Sequence, residues 1–262
     1  MACEILTEGI VLRRWYTGEY DKWISLLTPE HGKLRVRVRG ARKPKSKMGM
    51  LTEPLTQLEA RVIEGKAQRL LAQPQLKRSY LNLRNDLERL SIALALCETL
   101  DRWLPEEELE PDAYGVLLFA LEALEAGVEA EAVAAWALWR WLALLGYCPD
   151  TERCGGCGKE LLSADTACRA EVAHDASVQL LPVEGVFRCP SCTRSREGVA
   201  LTRQELETLQ KWTQGASLSL NSRPEVYERL MRAAMRYAEC VLESPVRWLE
   251  FRERLSALRE SG

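Results

Sequence analysis

Histidine is nearly absent from this chain: two residues in 262. That leaves little for His-based general acid–base or nucleophilic chemistry. No Walker-type phosphate loop, dinucleotide Gly pattern or His/Glu metal motif is present. Nucleotide-driven motors, dinucleotide enzymes and zinc hydrolases are thereby disfavoured. There is no internal repeat and no low-complexity tract. "MACEILTEGIVLRRW" lacks a basic start followed by an uninterrupted apolar stretch, so no secretory signal is read there. The most apolar segment, Ala132 to Tyr147, is too short to span a bilayer and carries Arg140 in its middle. It reads as a helix buried on most sides. These absences point to a cytoplasmic binding protein rather than an enzyme.

Cysteine is plentiful, with nine residues. In a reducing compartment, clustered cysteines bind metal more often than they form disulfides. Two Cys-x-x-Cys pairs stand out: Cys154 with Cys157, and Cys189 with Cys192. A two-residue spacer lets both sulfurs reach one ion, and the adjacent glycines permit the tight turn beneath it. The four together predict one structural Zn²⁺, closed to catalysis because four thiolates leave no open position. Cys148, Cys168 and His174 are spare residues without the paired spacing. Cys3, Cys97 and Cys240 read as buried small hydrophobes.

Net charge is only −2, yet it is unevenly spread. Residues 1–80 carry a net +8, residues 81–150 a net −10, and the remainder is neutral. The positive charge concentrates in "HGKLRVRVRGARKPKSKMG", His31 to Gly49, which holds Lys33, Arg35, Arg37, Arg39, Arg42, Lys43, Lys45 and Lys47 and no acidic residue. In "KLRVRVRG" Leu34, Val36 and Val38 alternate with the arginines. A strand turns successive side chains to opposite faces, so the arginines share one outer face roughly 7 Å apart. Such a face neutralises phosphates and carries little base information. Trp15, Tyr16, Tyr20 and Trp23 are base-stacking candidates, with core packing the expected role for most of them. Glu19 and Asp21 read as a surface turn rather than a Mg²⁺ site.

Five short alternating runs in residues 1–80, separated by turn signals, predict a small barrel of the OB type. Residues 81–150 predict helices, the first with an apolar stripe of Leu83, Leu87, Leu90, Leu94, Cys97 and Leu100. Pro111 and Asp112 mark a helix start, and Gly146 a helix end. Residues 151–199 predict the cysteine module. Residues 200–262 predict a return to helix, with a capping box from Thr202 to Glu205. The expected class is α+β: a DNA-binding barrel (1–80), helices (81–150), a zinc module (151–199) and C-terminal helices (200–262). Arg229, Arg232 and Arg236 share one side of the last helix and form a second basic face; Arg194 and Arg196 could extend it.

The stretch from Glu8 to Lys47, the helical middle, "LLGYCPDTERCGGCG" and "FRCPSC" together resemble bacterial RecO-type recombination mediators. The Gly40-Ala41-Arg42-x-x-x-Ser46 pattern after a basic strand is the most specific piece. Arg39 departs from the Lys often found before it, with charge retained. The resemblance implies an N-terminal OB-fold, a helical domain and an inserted zinc module. It also implies binding of single- and double-stranded DNA, annealing of complementary strands without ATP, and, with RecR, help in loading RecA onto DNA covered by single-stranded-DNA-binding protein. The acidic tail of that protein would be touched through the helical domain. Two other readings stand beside it: a protein-interaction scaffold with secondary DNA binding, and a zinc-containing nuclease.

Overall fold

The computed structural model describes residues 3–163, 178–193, 198–220 and 222–242. Cys168, His174, Arg194 and Arg196 lie outside the described residues, as does the chain from residue 243 onward. Two compact units divide the chain: one holds Met1–Val128, the other Glu129–Val246. The stretch 81–150 contributes helices to both.

The first unit is built on a closed five-stranded barrel. Strands β1 (Cys3–Thr17), β2 (Asp21–Thr28), β3 (Gly32–Val38), β4 (Gln57–Glu64) and β5 (Arg69–Arg78) run in the order β1-β2-β3-β5-β4. The long β1 serves two neighbours: its C-terminal part pairs with β2 and its N-terminal part with β4. Where it passes from one to the other, a Cβ on Gly9 would sit 2.8 Å from Leu26 Cδ1 and 2.8 Å from the Leu27 carbonyl oxygen, so only glycine fits. Closure between β3 and β5 is parallel and covers only Val36↔Arg69 and Arg37↔Leu70. The period-two pattern is obeyed: Leu34, Val36 and Val38 join Val11, Ile24, Leu26, Leu58 and Val62 in the core, while Arg35 is exposed. A single-turn helix α1 (Met48–Leu51), which the sequence did not announce, follows the basic turn.

After a second short helix, α2 (Leu81–Arg84), the unit continues with α3 (Leu87–Trp103) and α4 (Pro111–Glu125). Asp86 caps α3 by accepting from the Glu88 and Arg89 amides. The expected stripe holds at Leu83, Cys97 and Leu100 and fails in the first half of α3. Leu87 and Leu94 are exposed, and the buried face is Ile92, Ala93, Leu96, Cys97, Leu100 and Trp103.

In the second unit, α5 (Ala130–Leu144) is buried along most of its length and ends where Gly146 adopts φ +76°. Helix α6 (Arg203–Thr213) starts with the Thr202–Glu205 capping box, and α7 (Pro224–Leu242) buries Val226, Leu230, Ala233 and Tyr237. Aromatic side chains hold these helices together. Trp139 stacks on Tyr237, and its Nε1 donates to the Leu230 carbonyl at 2.9 Å. Truncating a fully buried Trp such as Trp139 costs about 3–5 kcal/mol. Arg140, the lone charge in the apolar segment, donates to the Trp212 carbonyl at 3.1 Å at the end of α6, where a cation meets the negative end of the helix dipole. A three-stranded sheet, β6 (Val178–Leu181), β7 (Val186–Arg188) and β8 (Val199–Leu201), completes the unit. Strands of three or four residues are too short to show a period in sequence.

Among the described residues, no helix is long and apolar enough to cross a membrane.

Candidate nucleic-acid interface and metal centre

The cations of His31–Gly49 do not all face water. Arg35, Arg39, Arg42, Lys43, Lys45 and Lys47 are exposed. Lys33 is buried at 8% exposure. Its Nζ donates to the Asp101 backbone carbonyl near the end of α3, and the Asp101 carboxylate lies 3.8 Å away. The strand alternation places Lys33 with the arginines, but α3 packs over that end of the face, so this cation is withdrawn from the surface.

Arg37 is half-buried. Its Nε and Nη2 donate to Asp21 Oδ2 at 3.0 and 2.7 Å, and Nη1 donates to Gln68 Oε1 at 3.1 Å. Asp21 Oδ1 accepts from the Gly40 amide at 2.7 Å. That amide, with the Arg37 guanidinium beside it, holds the Asp21 carboxyl below the usual carboxylate range. One carboxylate thus fixes both the strand and the turn after it, where Gly40 adopts φ +64°. The basic segment contains no acidic residue, but the fold supplies Asp21 and Asp101 from outside it.

The four aromatic residues are not core. Tyr16 and Tyr20 are exposed, and Trp15 and Trp23 are half-buried. The Arg35 guanidinium lies over both indoles, 4.9 Å from Trp15 and 5.1 Å from Trp23. The Arg42 guanidinium lies 4.6 Å from the Tyr16 ring. Trp15 pairs in register with Trp23, and Tyr16 with Lys22. Trp15 and Tyr16 therefore stand on opposite faces of the β1–β2 ribbon, so Arg35 and Arg42 are stacked on opposite sides of it. Stacking keeps each planar fork extended with its N–H edge available.

The sequence reading missed two features here. Arg13, in "VLRRW", is an exposed cation beside the Arg35 face. Lys22 is 1% exposed; its Nζ donates to the Gly49 carbonyl at 2.8 Å and to Glu53 Oε1 at 3.1 Å, tying the base of the basic turn to the barrel. Burial pushes the Lys22 amine down, and Glu53 opposes the shift. The signal that could have found it is the alternation in "DKWISLLT": Lys22 shares a strand face with Ile24 and Leu26, both in the barrel core.

The four cysteines of the two Cys-x-x-Cys pairs converge: their sulfurs lie within 4.8 Å of one another. Cys157 Sγ and Cys189 Sγ are 3.8 Å apart, close to the edge of about 3.8 Å that a tetrahedron with Zn–S bonds of about 2.3 Å requires. The pairs come from two knuckles, one closed by the Gly158 amide donating to the Cys154 carbonyl at 2.9 Å, the other by the Cys192 amide donating to the Cys189 carbonyl at 3.0 Å. Burial pushes the Cys154 thiol up, but amides of Cys189, Cys157 and Gly156 outweigh it and bring the group down to about 6. A four-sulfur set held this way, with Cys154 and Cys189 buried and Cys157 at the surface, can bind a metal ion. Cys97 is buried as expected, whereas Cys240 is exposed on α7.

The second basic face is partly neutralised. Arg229 pairs with Glu205, which is fully buried, and Arg232 pairs with Glu228 at 3.0 Å. Arg236 is exposed.

A closed barrel with a basic strand and turn, followed by helices and a four-cysteine cluster, makes this a two-unit α+β protein. The chain belongs to the recombination protein O family. The N-terminal family model, "Recombination protein O N terminal", matches residues 1–80, and "Recombination protein O C terminal" matches residues 84–250. The chain is similar to proteins named DNA repair protein RecO. That of Symbiobacterium thermophilum is 31% identical over 79% of this chain and 79% of its own length. That of Dehalococcoides mccartyi is 26% identical over 93% of this chain and 89% of its own.

Proposed function

We propose that this chain is a non-enzymatic recombination mediator that grips the phosphates of single- and double-stranded DNA and anneals complementary strands without ATP. The observation that supports it most is the run of exposed cations on β3 and the turn that follows it: Arg35, Arg39, Arg42, Lys43, Lys45 and Lys47. Two DNA strands repel each other. A polycationic surface lowers that repulsion and leaves most bases free to pair. The barrel is the DNA-binding domain in this reading. The helices that follow carry the contact to the acidic tail of single-stranded-DNA-binding protein, and RecR is the partner in loading RecA. Cys154, Cys157, Cys189 and Cys192 hold one Zn²⁺ that staples the second unit and takes no part in chemistry. Lys33 belongs to the barrel–α3 contact and drops out of the phosphate set. Arg37, shared with Asp21, contributes weakly. Arg229, Arg232 and Arg236 contribute least. The protein works in the cytoplasm on the nucleoid.

The test is anisotropy of a fluorescent single-stranded oligonucleotide across a salt series, comparing wild type with Arg42→Ala/Lys43→Ala/Lys45→Ala/Lys47→Ala. The variant is expected to bind more weakly, with a salt slope shallower by about 0.7 per lost contact, or about 3 in all. Equal affinity and slope would place the DNA elsewhere. A fluorophore–quencher pair of complementary strands, mixed without ATP, reads annealing directly, and the same variant should slow it.

A further inference from the structure

The outer face of the barrel carries more than charge. A cleft of about 390 Å³ is lined by the stacked pair Trp15 and Arg35, with Asp101 and Glu106. Ser25 lies on it, between β1 and β3, in register with Arg13 on one side and Arg35 on the other. Ser25 is 3% exposed, and its Oγ has no hydrogen-bond partner among the described residues. A buried hydroxyl without a partner costs free energy and persists where something else supplies the bond. On the far side of Arg35 a second cleft of about 520 Å³ is walled by Trp23 and shares Arg35 and Glu106. Each cleft therefore has one indole, and the guanidinium between them leans on both.

We propose that the Trp15–Arg35 cleft binds one unpaired nucleobase of a single DNA strand and favours bases that carry an amino group. The proposal rests on the DNA-binding reading above and adds a base contact to its phosphate contacts. An indole face and a guanidinium plane are the two surfaces on which an unstacked base lies best. The hydrogen-bonding groups at the cleft select the edge. Asp101 and Glu106 accept only. Arg13 faces Asp101 Oδ2 and Lys33 faces Oδ1, each at 3.8 Å, beyond hydrogen-bond length, so both oxygens keep acceptor capacity. Glu106 makes no ion pair among the described residues. Cytosine offers its N4 amino group to such an acceptor, and Ser25 Oγ can serve a second atom of the ring. Thymine, of the same size, turns a carbonyl oxygen to the carboxylates and is repelled. A base inside a duplex cannot enter, so the cleft acts on single strands only. The neighbouring Trp23 cleft offers the next base a similar wall.

The experiment compares three oligonucleotides of one length at low salt and slightly alkaline pH: oligo(dC), oligo(dT) and an abasic backbone. Wild type should bind oligo(dC) about five- to tenfold more tightly than oligo(dT). Glu106→Gln, an exposed change that leaves the fold alone, should bring that ratio close to one. Ser25→Ala should lower the ratio about threefold while thermal stability stays level or rises, because an unpartnered hydroxyl has been removed. A merely structural Ser25 would leave the ratio in place. An oligo(dC)/oligo(dT) ratio of one or less in wild type overturns the proposal and leaves the phosphate reading intact, as does a ratio that survives both substitutions. Failure of all three oligonucleotides to bind overturns the phosphate reading, and this proposal with it.

Discussion

Replacing Asp21 by Asn should make the protein less stable and a better DNA binder at once. The carboxylate accepts two hydrogen bonds from Arg37, at 3.0 and 2.7 Å, and one from the Gly40 amide at 2.7 Å. Asn keeps the size and retains one acceptor for Gly40. Its amide nitrogen then faces the Arg37 donors, so the fork is lost. Hydrogen bonds to charged groups contribute about 1.5–3 kcal/mol each, and partial exposure of this pair discounts that. The net loss of stability should be about 1–2 kcal/mol, read from a denaturant midpoint at constant m-value. In return the Arg37 guanidinium is released on the Arg35 face. One added phosphate contact should steepen the salt slope of single-strand binding by about 0.7 and tighten binding at low salt. The pH dependence has a definite sign. Asp21 has a depressed native pKa, so its stabilisation is present above the unfolded value of about 3.9 and is lost as pH falls through the native one. Wild type and variant should therefore converge in stability in acid. Unchanged stability together with unchanged or weaker DNA binding would refute the view that Asp21 holds Arg37 in reserve.

Three further outcomes follow from the same geometry. Cys154→Ser should lower zinc content and melting temperature together; full zinc content by atomic absorption would sink the four-cysteine assignment. Lys33→Met keeps the buried stem but loses the bond to the Asp101 carbonyl, so stability should fall by about 1 kcal/mol while the DNA salt slope stays put. Arg229→Ala strands the buried Glu205 carboxylate and should cost about 1–2 kcal/mol, less than a fully buried pair because Arg229 is half exposed; a salt slope shallower by about 0.7 in this variant would instead put the α7 face on DNA.

The barrel was legible because its signal is local. Leu34, Val36 and Val38 alternate with arginines, and a period of two needs no tertiary information. The cysteine cluster was legible for the same reason: spacing within each pair already dictates that both sulfurs reach one point. What the residues could not reveal was who meets whom across the fold. Lys33 and Arg37 look identical to Arg35 and Arg39 in sequence; only the packing of α3 and the position of Asp21 separate structural cations from exposed ones. The first long helix misled in phase over its first half, because Ile92, Leu96 and Trp103 offer a second apolar stripe beside Leu87 and Leu94, and packing chose the second. Core packing was the expected role for most of Trp15, Tyr16, Tyr20 and Trp23, with base stacking the other. They stand outside because Ile24, Leu26, Val36 and Val38 already fill the small barrel. Cys240 was misjudged similarly, as its helix turns that position to solvent.

The narrow closure of the barrel sets an order of assembly. Pairings β1–β2, β2–β3 and β4–β5 join neighbours in the chain through short turns and carry long ladders. The pairing of β1 with β4 spans a greater sequence separation but is eight residue pairs long. The β3–β5 contact is two pairs, parallel and distant in sequence. Loop-closure entropy is spent there for the smallest return, so this seam forms last during folding and is the first to part under load.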